Sequence, residues 1–267
     1  SADLIGTHTP KISRFSERKG GITRLAVPFP AVTTTVQTSM LTGVPVSEHG
    51  IVGNGWYDRT EGEVKFWKQS QKFVEAETVW QKARRMDSNF TCANVCWWYA
   101  MNSDVDVYVT PRPIYRANGR KVPDCQTRPS SLRDELTEAQ GAFPLFKFWG
   151  PGADIESTRW IVDAAIHVSQ NSHPTLQLVY LPHLDYGLQK FGPGHDEVPR
   201  LLREVDAEVG RLIEALETEG VDVLLVSEYG IVPVTSDVPL NRTLREAGMI
   251  AVREELGTEM LVPTECD

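Results

Sequence analysis

Residues 22–43 read ITRLAVPFPAVTTTVQTSMLTG and join an apolar segment, a proline-containing turn and a threonine-rich segment. The stretch 22–27 predicts a strand, because it is largely apolar and ends at the turn Pro28-Phe29-Pro30. Residues 33–41 predict a short helix that begins just past that turn. A strand that runs through a loop into a helix predicts one unit of an α/β sheet.

The same alternation of apolar and amphipathic stretches continues along the chain. Strands are predicted at residues 90–99, 104–110, 176–181, 221–226 and 249–252. Helices are predicted at residues 77–85, 155–170, 197–219 and 241–247. This order predicts an α/β fold with a mostly parallel sheet and helices on both faces. Ligands bind at the carboxyl ends of such strands, where polar loops follow Val27, Leu181 and Val226.

Length and charge limit the classes of function. The chain has 267 residues, of which 41% are apolar, and this predicts a single core domain over residues 1–267. The Pro-rich stretch 111–129 predicts a long loop, and we expect a substrate-covering insertion around residues 104–150. The net charge of -9 includes no basic block, so a nucleic-acid polymer is not expected as a partner. A phosphate-handling protein of this charge must neutralise phosphate within the site itself.

Cysteine usage and hydropathy narrow the classes further. The four cysteines, Cys92, Cys96, Cys125 and Cys266, are too scattered for a disulfide framework, and a zinc knuckle lacks its second ligand pair. We therefore interpret them as reduced thiols. No apolar run is long enough for a transmembrane helix and no signal-peptide pattern opens the chain, so we expect a cytoplasmic protein without a membrane partner. Because Ser1 is not an initiator Met, we also expect flanking sequence.

The loop after residue 27 carries a spaced set of polar residues. Thr33 opens the predicted helix, Thr42-Gly43 begins nine residues later, and His49-Gly50-Ile51 precedes Asn54. Here the sequence resembles the nucleotide pyrophosphatase/phosphodiesterase branch of the alkaline phosphatase superfamily. In that branch a Thr nucleophile precedes a Thr-Gly pair, and an Asn after His-Gly-Ile holds a phosphoryl oxygen. The resemblance implies that Thr33 is the catalytic nucleophile and that Asn54 binds the phosphoryl group.

The physical chemistry of a helix N-terminus suits that role for Thr33. Unpaired backbone N–H groups and the positive end of the helix dipole would stabilise a phosphorylated hydroxyl there. The alternative is that Thr33 or Thr34 only caps the helix, which is a common role for Thr. His49 is interpreted as a structural loop residue rather than as a metal ligand.

Two further loops match the resemblance in position and only partly in chemistry. In the loop after residue 181 the family has an Asp and, four residues later, a zinc-binding His; Asp185 matches the Asp, whereas Gln189 replaces the His. Residues 227–230 read Ser-Glu-Tyr-Gly and resemble Ser-Asp-His-Gly, so Glu228 and Tyr229 stand at metal-binding positions. The resemblance implies one or two divalent ions, zinc in the family, at these four residues. Gln and Tyr oxygens are poor zinc ligands, however.

Because Gln189 and Tyr229 replace two histidines of the family, the sequence does not define the full set of metal ligands. His183 and His195 are candidates to replace them, although such residues more often lie on loop surfaces. The superfamily also takes an Asp from its first strand and a His from near the C-terminus, and neither is evident in this chain. We therefore expect the core domain to lack terminal segments here.

The leading hypothesis is a metal-assisted hydrolase of phosphodiester or pyrophosphate bonds in a small phosphate ester or nucleotide, acting through a phosphothreonine at Thr33. The alternatives are a non-catalytic binding protein that retains the fold and another superfamily hydrolase, such as a phosphonate hydrolase. Two aromatic groups, Trp56-Tyr57 and Trp97-Trp98-Tyr99, would either stack on a base or aryl group or pack in the core. The sequence predicts no oligomeric state.

Overall fold

A four-stranded sheet lies at the centre of the computed structural model, which describes residues 2–251, 253–255 and 258–260. In chain order the strands are β1 (Gly55–Asp58), β2 (Glu63–Phe66), β3 (Cys92–Val95), β4 (Val107–Pro111), β5 (Ile114–Tyr115), β6 (Lys121–Val122), β7 (Cys125–Arg128), β8 (Leu176–Val179), β9 (Arg253–Glu255) and β10 (Thr258–Met260). The helices are α1 (Pro10–Arg18), α2 (Thr33–Thr42), α3 (Val46–His49), α4 (Val79–Met86), α5 (Leu132–Gln140), α6 (Ile155–Ser172), α7 (His183–Phe191), α8 (Val198–Thr218) and α9 (Leu240–Glu246).

The central sheet has the strand order β7, β4, β3, β8. Strand β3 pairs in parallel with β4 and with β8, so Asn94 lies opposite Tyr108 on one side and Leu178 on the other. Strand β7 forms one edge and runs antiparallel to β4. The predicted mostly parallel α/β sheet is therefore confirmed.

Apolar side chains cover both faces of this sheet, because successive residues of a strand point to opposite sides. Val95 of β3 packs in a cluster with Ile161 of α6. Cys92 of the same strand packs in a second cluster, with Leu41 of α2 and Trp80 of α4. Helix α6 also packs against α8, which in turn contacts α1 and α7. Helices therefore lie on both faces, as predicted.

Helix α1 is absent from the sequence prediction, although Thr9-Pro10 is a helix-start signal. Its first N–H groups are satisfied from a distant helix. Asp206 of α8 accepts hydrogen bonds from the N–H of Lys11 at 3.1 Å and of Ile12 at 2.8 Å. Because first-turn N–H groups have no partner within their own helix, this carboxylate fixes α1 on α8.

Two of the predicted strands do not form. Residues 22–27 and 221–226 have no regular secondary structure; Leu25 is 54% exposed and Leu224 is 86% exposed. An apolar segment becomes a strand only when a neighbouring strand satisfies its N–H and C=O groups, and in the described part of the chain neither segment pairs with one. The predicted strand 249–252 is also wrong over 249–251, and Val252 lies outside the described residues.

Stretches predicted as loops contain regular elements. Residues 111–129 include the hairpin of β5 and β6 and the sheet strand β7. Residues 183–195 include α7, whose Leu188 is buried against α8. Gly187 permits this contact, because a Cβ at that position would lie 2.4 Å from Cδ1 of Leu201. The many polar residues of the segment conceal its helical period.

The strands predicted at 90–99, 104–110 and 176–181 form over part of those ranges, as β3, β4 and β8. Helices predicted at 33–41, 77–85, 155–170, 197–219 and 241–247 are confirmed as α2, α4, α6, α8 and α9. Cys92, Cys96 and Cys125 are buried free thiols, as predicted, and Cys266 lies outside the described residues. Within the described ranges no helix has both the length and the hydropathy to cross a bilayer. The single core domain and the insertion around 104–150 stay predictions.

Candidate active site

Thr33 is the first residue of α2, at the end of the loop that follows residues 22–27. The N-cap position belongs to Val32, which has an extended backbone and makes no side-chain cap. Thr33 is therefore not a capping residue. Its side chain is only 7% exposed, and its hydroxyl turns to residues from two distant loops.

Asn54 lies directly beside the start of α2. Its Oδ1 accepts hydrogen bonds from the backbone N–H of Thr34 at 3.1 Å and from Oγ1 of Thr34 at 3.0 Å. Asn54 thus satisfies a first-turn N–H group of the helix that Thr33 opens. With Oδ1 engaged, its Nδ2 group is the end left to donate to a ligand. The structure therefore brings the predicted nucleophile and the predicted phosphoryl-binding residue together.

A chain of hydrogen bonds connects Thr33 to three of the four predicted metal ligands. Oγ1 of Thr33 lies 3.2 Å from Oη of Tyr229, and that phenol donates to Oδ1 of Asp185 at 3.1 Å. Oδ2 of Asp185 accepts from Nε2 of Gln189 at 2.9 Å. Because the phenolic proton goes to Asp185, the Thr33 hydroxyl is the donor toward Tyr229. The loops after residues 181 and 226 therefore meet at the predicted nucleophile.

Glu228, the fourth predicted ligand, is held by a residue that the sequence did not reveal. Gln37, fully buried on α2, donates from Nε2 to Oε2 of Glu228 at 2.9 Å. Burial raises the pKa of Glu228 to about 7, hydrogen bonds with Gln37 and Thr33 act against that rise, and the nearby charge of Asp185 adds to it. Gln37 stands four residues after Thr33, so it lies on the same face of α2. That spacing is the signal that would have identified it.

The phenol of Tyr229 is neutral over the physiological pH range. Its burial raises its pKa above the ordinary value, and the hydrogen bond with Thr33 acts in the opposite direction. Burial likewise raises the pKa of Tyr180, whose hydroxyl also hydrogen-bonds with Thr33. Tyr180 was not predicted as a site residue. It follows β8, so it lies at the strand end where the second loop begins.

The histidines considered as replacement ligands have other partners. His183 is buried, and its Nε2 lies 3.0 Å from Oε2 of Glu204 on α8. His195 stacks on Phe191, with ring centroids 4.8 Å apart. His49 is fully buried, as a structural residue should be, and its two ring nitrogens bind protein groups. None of the three is hydrogen-bonded to Asp185 or Glu228 in the structure.

The donor atoms at the site do not fit the pair of zinc ions that the resemblance implies. In the described ranges there is no group of three or more His, Cys, Asp or Glu side chains that could hold a metal ion. The four predicted ligands offer oxygen atoms only, from two carboxylates, a phenol and an amide, whereas zinc sites in proteins favour imidazole and thiolate. Oxygen donors suit a single hard cation such as Mg²⁺ or Mn²⁺.

A cavity of about 300 Å³ opens beside Thr33. Its lining is largely aromatic and consists of Thr33, Trp67, Trp98, Phe148, Trp149, Gly150, Tyr180, Pro182, Asp185 and Tyr186. The residues Trp97, Trp98 and Tyr99, singled out in the sequence, are all buried, and of the three only Trp98 lines the cavity. Trp56, of the other aromatic group, packs edge-on against Phe73 with ring centroids 5.7 Å apart.

Solved structures show which known proteins share this fold. Murine ectonucleotide pyrophosphatase/phosphodiesterase 5, solved in complex with AMP, aligns with a TM-score of 0.53 and 17% identity over 82% of this chain and 50% of that chain. The alkaline phosphatase PafA aligns with a TM-score of 0.52 and 15% identity over 72% of this chain and 51% of that chain. The fold is that of the alkaline phosphatase superfamily.

Sequence comparison identifies the family within that superfamily. The profile of the type I phosphodiesterase/nucleotide pyrophosphatase family matches residues 1–266, and the chain belongs to that family. An uncharacterized pyrophosphatase/phosphodiesterase of Schizosaccharomyces pombe is 26% identical over 233 residues, which are 86% of this chain and 42% of the relative. The chain thus spans about half the length of the proteins it matches.

Proposed function

We propose that this chain carries the catalytic core of a hydrolase that cleaves phosphodiester or pyrophosphate bonds, with Thr33 as the nucleophile. The observation that carries the proposal is the position of the Thr33 hydroxyl. It opens α2, lines the cavity of about 300 Å³ and hydrogen-bonds with Tyr229, which hydrogen-bonds with Asp185. Membership of the type I phosphodiesterase/nucleotide pyrophosphatase family supports the same chemistry.

The nucleophile requires an acceptor for its proton, and the hydrogen-bonded chain supplies one. As Oγ1 of Thr33 attacks phosphorus, its proton passes to Oη of Tyr229, which releases its own proton to Asp185. The bond between phosphorus and the leaving oxygen breaks, the leaving oxygen takes a proton from solvent, and a phosphothreonine that keeps the second esterified group forms. Water then attacks phosphorus and gives one proton to solvent, while the Thr33 oxygen leaves and takes back its proton from Asp185 through Tyr229; the product is a phosphate monoester. Tyr229 is thereby assigned to proton transfer, whereas the resemblance implies a metal ligand at this position.

The start of α2 binds the phosphoryl group. Backbone N–H groups at a helix N-terminus point toward an anion, and the helix dipole favours negative charge there. Asn54 adds its Nδ2 donor, because its Oδ1 is already engaged by Thr34. These donors are held in place before the substrate arrives, which is the arrangement that stabilises charge developing in a transition state.

One divalent cation would complete the charge balance of the site. Asp185 and Glu228 both lie near Thr33, and negative charge on these carboxyl groups repels a phosphate ester. Because burial raises the pKa of Glu228 to about 7, a bound cation would also favour the ionised form of Glu228. We propose that these two side chains, with Tyr229 and Gln189 beside them, hold a single oxygen-ligated cation. When bound, the cation supplies positive charge to the phosphoryl oxygens. The expectation of zinc from the resemblance is replaced by Mg²⁺ or Mn²⁺, because the donors are oxygens.

The test compares the wild-type protein with Thr33→Ala and Thr33→Ser, using a nitrophenyl phosphodiester with Mn²⁺ present. Thr33→Ala should lower kcat by about three orders of magnitude or more, whereas Thr33→Ser should retain part of it. Acid quenching during turnover should leave a phosphoryl group on wild-type residue 33 and none on the Ala variant. Equal rates for wild type and Thr33→Ala would exclude the proposal.

A second candidate function is a binding protein that retains the fold without catalysis. The observation that favours it is that both carboxylate oxygens of Asp185 are already hydrogen-bonded within the protein, by Tyr229 and Gln189. Under this alternative, a phosphate ester would bind to the wild-type protein and leave unchanged. Product analysis of the bound ester separates the two functions.

A further inference from the structure

The hairpin of β5 and β6 carries positive charge in an acidic protein. Residues 112–123, which we call the basic hairpin, contain no Asp or Glu, whereas the whole chain has a net charge of -9. Four exposed basic residues lie in this segment, and none of them forms an ion pair within the described part of the chain; they are Arg112, Arg116, Arg120 and Lys121. These residues are spaced along the sequence, so only the hairpin brings their charges together.

Two of these charges lie directly opposite each other. In the ladder of the hairpin Tyr115 pairs with Lys121. The N–H of Arg116 donates to the carbonyl of Arg120 at 3.0 Å, which extends the same ladder by one pair. Like charges opposite each other destabilise paired strands. The basic hairpin therefore keeps an unfavourable charge pair that an anionic partner would relieve.

Exposed apolar side chains accompany the charges. On β5, Ile114 is 48% exposed and Tyr115 is 65% exposed. Phe146, whose ring centroid lies 6.0 Å from Nζ of Lys121, is 55% exposed. Basic side chains among exposed apolar and aromatic ones are typical of surfaces that lie in the headgroup layer of an anionic bilayer. A nucleic-acid backbone would neutralise the same charges, but it offers no apolar layer for Ile114.

The basic hairpin is attached to segments that line the cavity of the candidate active site. At its base, Nε2 of Gln69 donates to the carbonyl of Pro111 at 2.8 Å. Gln69 follows the cavity residue Trp67 by two positions, and Phe146 precedes the cavity residue Phe148 by two positions. A surface that binds the basic hairpin would therefore lie next to the segments that form the cavity.

From these observations we propose that the basic hairpin docks the protein on an anionic membrane surface. Each Lys or Arg that reaches such a surface strengthens binding about fivefold, so four of them together strengthen it several hundredfold. Repulsion from the acidic remainder of the chain is screened beyond about 10 Å at ordinary salt concentrations. The expectation of no membrane partner rested on spanning segments and signal peptides, and a peripheral contact needs neither. The inference goes beyond the proposed function and uses neither Thr33 nor its reaction.

Sedimentation with lipid vesicles tests the preference for an anionic surface. The wild-type protein is mixed with vesicles of phosphatidylcholine alone, or of phosphatidylcholine and phosphatidylserine in equal amounts. It should bind the anionic vesicles at least about tenfold more strongly, and raising the salt concentration from about 0.1 M to about 1 M should remove most of that binding. Equal binding to both kinds of vesicle would overturn the proposal. Tighter binding of a single-stranded oligouridylate would also overturn it, because the partner would then be a nucleic acid.

Variants locate the docking surface. The double variant Arg116→Gln/Arg120→Gln should bind anionic vesicles about twentyfold more weakly. Because it removes a like-charge pair, its thermal unfolding midpoint should be no lower than that of the wild type, which shows that it folds. The matched control is Arg59→Gln/Lys82→Gln, which removes two exposed basic side chains outside the basic hairpin. Unchanged binding in the Arg116/Arg120 variant, or an equal loss in the control, would contradict this surface.

A change without charge tests the apolar part of the contact. Ile114→Gln should weaken binding to anionic vesicles severalfold, because the exposed isoleucine no longer enters the apolar boundary of the bilayer. Binding to the vesicles that is unaffected by Ile114→Gln would mean that charge alone holds the partner, and the membrane assignment would fall.

The docking surface and the proposed reaction fail separately. Thr33→Ala should bind anionic vesicles as the wild type does, and the Arg116/Arg120 variant should hydrolyse a soluble nitrophenyl phosphodiester at the wild-type rate. A wild-type protein that docks on vesicles but hydrolyses no ester loses the proposed function and keeps this inference. A protein that cleaves the ester through Thr33 but does not distinguish anionic from neutral vesicles keeps the proposed function and loses the docking surface.

Discussion

Nε2 of Gln37 donates to Oε2 of Glu228 at 2.9 Å, and the orientation of that amide is determined by a third residue. The backbone N–H of Trp98 donates to Oε1 of Gln37 at 2.8 Å, so the other end of the amide must be the NH₂ group. Gln37 is fully buried and holds no other function in the proposed reaction. Gln37 is therefore a positioning residue that connects Trp98, which lines the cavity beside Thr33, to Glu228.

Replacing Gln37 with Met should disturb Glu228 without changing the volume of the side chain much. Loss of both hydrogen bonds leaves the Trp98 N–H and a Glu228 oxygen without partners. This costs about 1–3 kcal/mol of unfolding free energy for the buried Trp98 N–H and less for Glu228, which is partly exposed. Urea unfolding measures this. Gln37→Glu keeps an oxygen that accepts from the Trp98 N–H and places a second carboxyl group beside Glu228. Its free energy of unfolding should therefore lie between those of the wild type and Gln37→Met. Wild-type stability in Gln37→Met would show that the two bonds are not formed.

Tyr229→Phe removes the proton path and keeps the ring. Thr33 then loses the phenol that connects it to Asp185, and the Asp185 Oδ1 loses its donor, so kcat should fall by about a hundredfold with a smaller change in KM. Tyr115→Phe is the matched control, because it removes a phenol from an exposed ring on β5 that lies outside the site. A rate in Tyr229→Phe equal to that of Tyr115→Phe would contradict the relay.

The buried imidazole of His49 should make stability depend on pH. Its Nδ1 accepts from the N–H of Ile51 at 3.1 Å, so its other nitrogen carries the proton and lies 2.8 Å from Oγ of Ser39. Burial lowers the pKa of His49 below its ordinary value of 6.5. The neutral form is thus favoured in the folded state: its contribution is complete above pH 6.5 and is lost as pH falls toward the lower folded pKa.

Unfolding free energies measured between pH 8 and pH 5 check this sign, at about one-unit intervals around the ordinary His value. The wild-type curve should fall on the acid side more steeply than the curve of His49→Gln, which cannot take up a proton. Burial also lowers the pKa of His183. Because His183 is present in both proteins, its contribution to the pH dependence cancels in the comparison. If the unfolding free energies of the two proteins changed in parallel with pH, the folded state would not favour the neutral form of His49.

Resemblance to the family explains which site residues the sequence could predict. Thr33 and Asn54 were assigned because the Thr-Gly and His-Gly-Ile segments near them match the family's motif, and in the structure both contact Thr34 or its helix. Asp185 and Glu228 were assigned by the same resemblance, in polar loops that were expected to meet at one edge of the sheet. The convergence holds although residues 221–226 do not form the predicted strand.

What the sequence could not predict depends on partners far along the chain. The strand at 22–27 required a neighbouring strand, and the cap of α1 required Asp206 from a helix nearly two hundred residues away. Gln37 was equally hidden, since an amide on a helix shows its role only when Trp98 and Glu228 flank it. The residues that line the cavity beside Thr33 come from separate segments of the chain, so no single stretch indicated the shape of the cavity.

Metal titration distinguishes the oxygen-ligated site from the zinc pair that the family resemblance implies. The described donors are two carboxylates, a phenol and an amide, which should hold one Mn²⁺ per chain and give Zn²⁺ no advantage from nitrogen or sulfur ligands. Isothermal titration and the electron paramagnetic resonance signal of free Mn²⁺ count the ions without any assay of activity.

Asp185→Asn and Glu228→Gln should each weaken Mn²⁺ binding by about tenfold or more, because each removes one of two charges that attract the ion. Asp196→Asn, a surface carboxylate outside the site, is the control and should bind as wild type does. Two ions per chain, or binding that survives both site substitutions, would show that the ion is held elsewhere.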